Sequence, residues 1–228
     1  TQGPSMMDDF LKQAQRFEAD IRFGLATAVD FSGPVHKVWI DETHLVEAKT
    51  VIIATGASAK WLGLPSEKKL NGFGVSACAV CDGFFFRGQD VAIVGGGDTA
   101  AEEATYLAKL CRKVYMIIRR DELRASKAMQ HRVFNTANIE VIMNSETVEI
   151  TGEQAVDGAI IRNRISGETR QLDVTGFFVA IGHEPNSGIF RNWLDMDANG
   201  YIKTIPGTSK TNVPGVFAAG DARRGASL

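Results

Sequence analysis

The sequence predicts an α/β protein built around a doubly wound parallel sheet, and three observations carry that prediction. From Gln89 onward, short apolar runs alternate with stretches of helical spacing, the pattern of parallel strands joined by crossover helices. The apolar run Val91–Val94 opens directly onto Gly95-x-Gly97-x-x-Ala100, a glycine turn at the head of a helix. The composition changes twice, at Lys60–Lys69 with its Gly63 and Pro65 and at Gly182-His183-Glu184-Pro185-Asn186, which marks two domain boundaries.

Taken in order, Ser5 caps a first helix whose apolar face is Met7, Phe10, Leu11, Ala14 and Phe17, with Asp8 in the place of a capping-box acid. Strands are expected at Ile21–Phe23, Val35–Ile40 and Thr50–Ala54, with Asp41-Glu42-Thr43 turning the chain between the last two. After the first boundary come strand Val91–Val94, helix Asp98–Leu110 with Ala101, Ala104, Leu107 and Ala108 at its spacing, and strand Lys113–Ile118. A helix over Ser126–Thr136 and a strand at Ile139–Met143 come next. Glu146–Ile150, Ala159–Arg164 and Glu168–Leu172, separated by Gly152, Gly158 and Gly167, read as an antiparallel meander. Gly176–Ile181 is another buried strand. A last one lies in Val213–Ala219, with Asp221 just past its carboxyl end, where open parallel sheets hold their ligands.

Bulk properties narrow the function. Hydrophobic content of 44% and charged content of 23% are those of an ordinary globular protein. A net charge of -2 offers nothing to nucleic acid or to an acidic membrane surface. No apolar run approaches the roughly 20 residues that span a bilayer, and Thr1-Gln2-Gly3-Pro4 has no charged-then-apolar leader pattern. Three cysteines, two of them closely spaced, suit a reducing cytoplasm better than a disulfide-stapled secreted scaffold.

Two groups carry chemistry. Cys78 and Cys81, spaced Cys-x-x-Cys, can close a small disulfide, and that spacing favours a lowered thiol pKa in one of them. The alternatives are two unpaired core thiols or half of a zinc site. Zinc needs about two further ligands, and neither Cys111 nor any of the four His stands at ligand spacing, so no metal is expected. Asp82 is the candidate acid–base group for a pair that passes between thiol and thiolate; its alternative use is a turn before Gly83. Cys111 reads as a small core residue and His183 as a hydrogen-bonded loop residue.

The second group is the turn Gly95, Gly97, Asp98, Thr99 and Ala100, which lets a backbone approach a pyrophosphate at a helix start. Arg119, Arg120 and Arg124 follow the next strand, where arginines accommodate a 2′-phosphate and an acid would hold a ribose 2′-hydroxyl. Asp121 and Glu122 nearby leave NADH open, and a solvated charge run is the other use of such residues. Side by side, the cysteine pair and the glycine turn suggest electrons passing from a nicotinamide nucleotide to a disulfide.

Several motifs then agree. They are Ala-Thr-Gly-Ala (54–57), Leu-Gly-Leu-Pro-Ser-Glu (62–67), Val-Ser-Ala-Cys-Ala-Val-Cys-Asp-Gly-Phe-Phe (75–85) and Ile-Val-Gly-Gly-Gly-Asp-Thr-Ala (93–100). Arg-Arg-Asp (119–121) with Arg124, Phe-Val-Ala-Ile-Gly-His-Glu-Pro-Asn (178–186) and Pro-Gly-Val-Phe-Ala-Ala-Gly-Asp (214–221) complete the set. Over nearly its whole length the chain closely resembles the bacterial low-molecular-weight thioredoxin reductases, class-II pyridine nucleotide-disulfide oxidoreductases. The resemblance implies an NADPH-binding Rossmann-like domain, residues 63–181, inserted into a split FAD-binding Rossmann-like domain, residues 1–62 and 182–228. It implies a homodimer that reduces thioredoxin or a thioredoxin-like protein, with Cys81 nearer the flavin ring and Thr55, Gly56, Gly220 and Asp221 among the FAD residues.

The departures matter as well. The family's opening Gly-x-Gly-x-x-Gly turn, which holds the FAD pyrophosphate, is not in this sequence. Asp221 is followed by Ala-Arg-Arg instead of an Arg-Gln-Ala helix, and Ile118 stands where relatives often have His. The chain is therefore expected to be a fragment, an incomplete FAD domain that purifies without stoichiometric flavin; on that reading it is a non-catalytic NADPH-binding piece of such an enzyme. Ferredoxin- or flavodoxin-linked relatives lack the cysteine pair, and peroxiredoxin-linked ones use NADH, which Arg119 and Arg120 disfavour.

Overall fold

The computed structural model describes residues 3–223. The chain divides into two units: residues up to Gly56 together with those from Pro185 on, and Ala57–Glu184. The boundaries read from composition, after 62 and after 181, fall just inside the second.

The first unit opens with α1 (Gly3–Arg16), whose apolar face, Met6, Met7, Phe10 and Leu11, is exposed among the described residues. The strand expected at Ile21–Phe23 does not form. The pairing starts later, in β1 (Ala26–Asp30), because Asp41 clamps the chain just before it: the Leu25 N–H donates to Asp41 Oδ1 (2.9 Å) and the Asp41 N–H to the Leu25 carbonyl (2.8 Å). β1 pairs with β2 (His36–Ile40), Val29 opposite Val38, and β2 with β3 (His44–Ala48), Ile40 opposite His44. The Asp41–Thr43 turn thus leads into a strand that the sequence pattern does not announce. Asp41 and Glu42 both adopt positive φ, which turns the chain back at once. β3 is largely exposed, so it carries no buried apolar run to betray it. β4 (Val51–Ile53) comes next.

The second unit begins with β5 (Ala57–Ala59) and α2 (Pro65–Lys69), then β6 (Val75–Ser76) and α3 (Ala79–Asp82). The alternating core is β7 (Asp90–Val94), α4 (Asp98–Leu107), β8 (Lys113–Ile117), α5 (Lys127–Phe134) and β9 (Ile139–Ile142). The meander is β10 (Ser145–Thr151), β11 (Gly158–Asn163) and β12 (Thr169–Leu172). β13 (Gly176–Val179) and β14 (His183–Pro185) complete the run, β14 pairing with β5. Five strands form a parallel sheet in the order β6-β13-β7-β8-β9, so β13, the last to be made, lies between the first two.

Alternation along the strands sorts the core into two layers. Val91, Ile93, Val114, Met116 and Phe178 pack against Ala100, Ala101, Ala104 and Leu107 of α4 and Met129 and Val133 of α5. Their neighbours Ala92, Val94, Ile117, Phe177 and Val179 face the meander through Ile150, Ala159, Ile161 and Leu172. α4 stops at Leu107, three residues before the expected end. A tight turn succeeds it, with Leu110 N–H donating to the Leu107 carbonyl, and Asn138 Nδ2 caps the carbonyls of Ala108 (2.8 Å) and Cys111 (3.1 Å).

The chain then returns to the first unit, where β15 (Val216–Ala218) runs parallel to β4, Val216 beside Val51 and Ala218 beside Ile53. Around them Val29, Phe31, Ile53, Phe190, Leu194 and Ile202 form a second core, with the Phe31 and Phe190 rings stacked at 6.3 Å.

At the foot of β7 the Asp90 carboxylate accepts two bonds from Arg112, Oδ1 from Nε (2.7 Å) and Oδ2 from Nη2 (2.8 Å). The Arg112 hydrogen bond holds the Asp90 carboxyl below the usual carboxylate range. A depressed folded-state pKa contributes stability that is fully present above about pH 4, the unfolded value, and is lost as pH falls through the folded one. Asp90→Asn is therefore expected to flatten the acid limb of a pH series of urea unfolding and leave the slope around neutral pH unchanged.

Candidate active site

The carboxyl ends of β7, β8 and β13 open into a cavity of about 400 Å³. It is lined by Gly95, Gly96, Gly97, Thr99 and Ala100 on one side and by Arg119, Arg120 and Arg124 on the other. Gly95 has φ +145°, and a Cβ there would run into the Ala180 carbonyl and the Ala100 methyl. Only glycine lets the turn leave β7 that close to the end of β13. At Gly97 the reverse holds: a Cβ would meet nothing within 4 Å, so the backbone is open to a ligand. Gly97 is also the N-cap of α4 and no side chain caps the helix, which leaves the first-turn amides free for a phosphate. Ala100 is fully buried beneath the turn.

Asp98 stands apart from the cavity wall. Its Oδ1 accepts the Ser126 N–H (2.8 Å), and that bond holds its carboxyl below the ordinary range. Ser126 in turn caps α5, its Oγ accepting the Met129 N–H (3.4 Å). The Arg124 and Ala125 N–H groups both donate to the Gly96 carbonyl, at 2.7 and 3.1 Å. The glycine turn and the arginine-bearing segment are thus fastened to each other by backbone and by Asp98. Ile118 is buried, its Cγ2 close above Gly96. Arg164, in the turn after β11 of the meander, also lines the cavity, a residue that local sequence spacing does not signal.

The cysteine pair sits just past β6, on the same carboxyl edge of the same sheet. Cys78 and Cys81 are joined as a disulfide, Cys78 as N-cap of the four-residue α3 and Cys81 within it. The Cys81 N–H points at Cys78 Sγ (3.2 Å), an arrangement that stabilises negative charge on that sulfur once the bond is reduced. Ser76, a residue of the 75–85 motif to which the sequence assigns no role, links the parts: its buried hydroxyl accepts the Cys78 N–H (3.0 Å) and donates to Asp82 Oδ2 (2.6 Å). Asp82 is therefore fixed in direction beside the pair. A second carboxyl, Glu103 of α4, is raised by burial, an effect opposed by the Ala79 N–H at the start of α3. Cys111 is buried away from this, and burial pushes its thiol up to about 11.

In the first unit Thr55 and Gly56 follow β4, and Gly220 and Asp221 follow β15. The parallel pairing of those strands, extended by the Ala219 N–H on the Ile53 carbonyl (2.8 Å), brings the four to one edge. Gly56 and Gly220 both have left-handed φ, +68° and +66°, with open space where a Cβ would stand. Thr55 Oγ1 donates to the Asn186 carbonyl (2.6 Å) and Asn186 Nδ2 returns a bond to the Thr55 carbonyl (3.0 Å), which fixes this edge.

The profile of the pyridine nucleotide-disulphide oxidoreductase family matches residues 2–228. The chain is 50% identical over 220 residues to the thioredoxin reductase of Mycolicibacterium smegmatis, covering 96% of this chain and 70% of that protein. It is 47% identical over 219 residues to the bifunctional thioredoxin reductase/thioredoxin of Mycobacterium leprae, covering 96% of this chain and 48% of that protein. The solved thioredoxin reductase of Giardia duodenalis superposes with a TM-score of 0.80 at 40% identity, over 98% of this chain and 74% of that one.

Two outcomes are expected of the cysteine site. Thiol titration of the native chain should find two more reactive groups after reduction, with Cys111 reacting only once the chain is denatured. Ser76→Ala removes the hydroxyl that aims Asp82, and one lost hydrogen bond of roughly 0.5–1.5 kcal/mol should slow reduction of an aromatic disulfide by the prereduced chain by up to about tenfold. An unchanged rate in stopped-flow absorbance would leave Ser76 a purely structural residue.

Proposed function

Because the chain belongs to the pyridine nucleotide-disulphide oxidoreductases and, within them, to the thioredoxin reductases, we propose that it passes electrons from NADPH through the Cys78–Cys81 pair to the disulfide of thioredoxin or a thioredoxin-like protein. The observation that carries this reading is the shared edge. A reducible disulfide and an arginine-walled nucleotide cavity stand at the carboxyl ends of strands in one parallel sheet.

The residues of the second unit fit NADPH. The uncapped start of α4 and the open backbone at Gly97 receive the pyrophosphate, with Gly95 and Ala100 shaping the turn and Thr99 on the wall. Arg119, Arg120 and Arg124 meet the 2′-phosphate with charge-assisted hydrogen bonds. Asp98 acts on the cofactor indirectly, by holding the arginine segment in place. The residues of the first unit fit FAD at the edge formed by Thr55, Gly56, Gly220 and Asp221, where two left-handed glycines leave room for a nucleotide backbone. When bound, the flavin supplies the step that turns a hydride into an electron pair for the disulfide.

The thiol chemistry belongs to the chain's own side chains. Reduction of the disulfide needs two electrons and two protons and yields two thiols. The Cys81 N–H favours the thiolate at Cys78, so Cys78 attacks the partner's disulfide, forming a mixed disulfide and releasing one partner thiolate. Asp82, held by Ser76, takes the proton that Cys78 gives up, passes it to that leaving sulfur and then takes one from the Cys81 thiol. Cys81 then attacks the Cys78 sulfur, re-forming the internal disulfide, and the second partner sulfur leaves with the Asp82 proton, which frees the partner as a dithiol. We assign the protein to the cytoplasm because two closely spaced redox cysteines suit a reducing compartment, and to a homodimer because the motif resemblance read from its sequence implies one. No helix among the described residues is long and apolar enough to cross a membrane.

With FAD supplied, NADPH oxidation should require thioredoxin and vanish in Cys78→Ser. Equal use of NADH would overturn the nucleotide assignment. Charge-assisted bonds contribute roughly 1.5–3 kcal/mol each and sit at the low end where exposed, so Arg119→Ala with Arg120→Ala should weaken NADP+ binding on the order of 100-fold. NAD+ binding should barely change in the same calorimetric titration. Equal losses for both nucleotides would mean that the arginines only stabilise the unit.

A further inference from the structure

Arg164 is an arginine of the cavity wall that comes neither from the glycine turn nor from the segment after β8. It follows β11 of the meander, and its backbone N–H donates to the Asn144 carbonyl (2.7 Å), while the Asn144 N–H donates to the Arg120 carbonyl (2.9 Å). The Ser145 N–H closes the same seam on the Ile118 carbonyl (2.9 Å). Asn144 adopts φ +53°, the left-handed turn that lets the chain leave β9 and start β10 against the arginine segment. The meander is therefore stitched along Ile118–Arg120, and Arg164 arrives at the cavity on a fixed backbone.

Its side chain is fixed as well. Arg164 Nη1 donates to the Arg119 carbonyl (3.2 Å), and Nε lies 3.5 Å from Glu146 Oε2. Glu146 is held more closely by Arg162, whose Nη2 donates to Oε1 at 2.6 Å, so the positive charge of Arg164 is only partly offset. A guanidinium has five N–H groups, and these contacts engage two of them. The rest belong to a side chain on the wall that also carries Arg119, Arg120 and Arg124. Glu122 is the acid on that wall, against four arginines.

We propose that Arg164 is a specificity-determining residue, which adds a guanidinium from the meander to the arginines that recognise the 2′-phosphate of the nucleotide. The proposal rests on the NADPH reading of this cavity and extends it. Recognition becomes two-sided: one arm is local to the glycine turn, and the other is delivered by the inserted sheet. Preorganisation makes such a contact effective, because the side chain is already ordered on the Arg119 carbonyl and on Glu146 before any ligand arrives.

The test is calorimetric titration of the full chain and of Arg164→Ala and Arg164→Gln with NADP+ and NAD+, at low and high salt. Gln can still donate a hydrogen bond toward the Arg119 carbonyl, so it removes the charge with less disturbance and serves if the Ala variant fails to fold. Both variants should lose about tenfold in NADP+ affinity, the size of one exposed charge-assisted hydrogen bond, with a shallower salt dependence and unchanged NAD+ affinity. A Gln variant that keeps the full NADP+ preference overturns the proposal while leaving the role of Arg119 and Arg120 intact. Equal losses for both nucleotides also overturn it, by showing a structural role. A parent chain that binds the two nucleotides alike would instead overturn the NADPH reading, and the proposal with it.

Discussion

The arrangement depends on one strand pairing. β13 is the last strand of the parallel sheet to be made, yet it sits between β6 and β7, and β6 is bonded to the sheet through it. Phe177 and Phe178, fully buried on opposite faces, anchor β13 in both layers of the core. At its end the Ala180 carbonyl fills the space that a side chain at Gly95 would need. β13 thus holds the strand that leads to the cysteine pair beside the strand that leads to the glycine turn. Closing so long a loop carries an entropic cost that grows slowly with length, and two buried phenylalanines supply the apolar contact that offsets it.

This dependence explains which parts of the site can be read from sequence. The Cys-x-x-Cys pair, the glycine turn and the arginines after β8 are each local patterns, and each local pattern appears in the structure where its spacing places it. Ser76 is not legible, because its importance comes from touching both Cys78 and Asp82 across a turn whose shape spacing does not state. Asp98 reads from the motif as a cofactor residue. Its contact with Ser126 depends on how α5 returns to the turn, which no local pattern encodes. Arg164 is further still, in the turn that follows a strand of a different sheet.

The elements show the same division. Strands β7, β8 and β13 are short runs of mostly buried apolar residues, and burial on both faces makes them legible. β3 is exposed and carries His44 and Glu47, so its pairing with β2 is visible only once the Asp41–Glu42 turn is known to reverse the chain. The apolar periodicity of α1 correctly marks a helix, yet among the described residues nothing buries its face. Periodicity reports a helix's inclination to pack, while burial depends on what is opposite.

The glycine of the Cys-Asp-Gly motif carries the last step. From its neighbours in sequence, Gly83 suggests a turn, with Asp82 as the turn residue before it. In the structure Gly83 has φ -57°, a conformation open to any residue, so no turn requires it. What excludes a side chain is packing: a Cβ would sit 2.9 Å from Leu107 Cδ2 and 3.3 Å from Tyr106 Cε1. Gly83 therefore lets α3 and the segment behind it settle directly on the last turn of α4. The first turn of that same helix carries the amides that face the nucleotide cavity. One short, rigid helix thus holds the redox pair at one end and the cofactor cradle at the other. This frees Asp82 from the turn and leaves its carboxyl to the Ser76 hydroxyl.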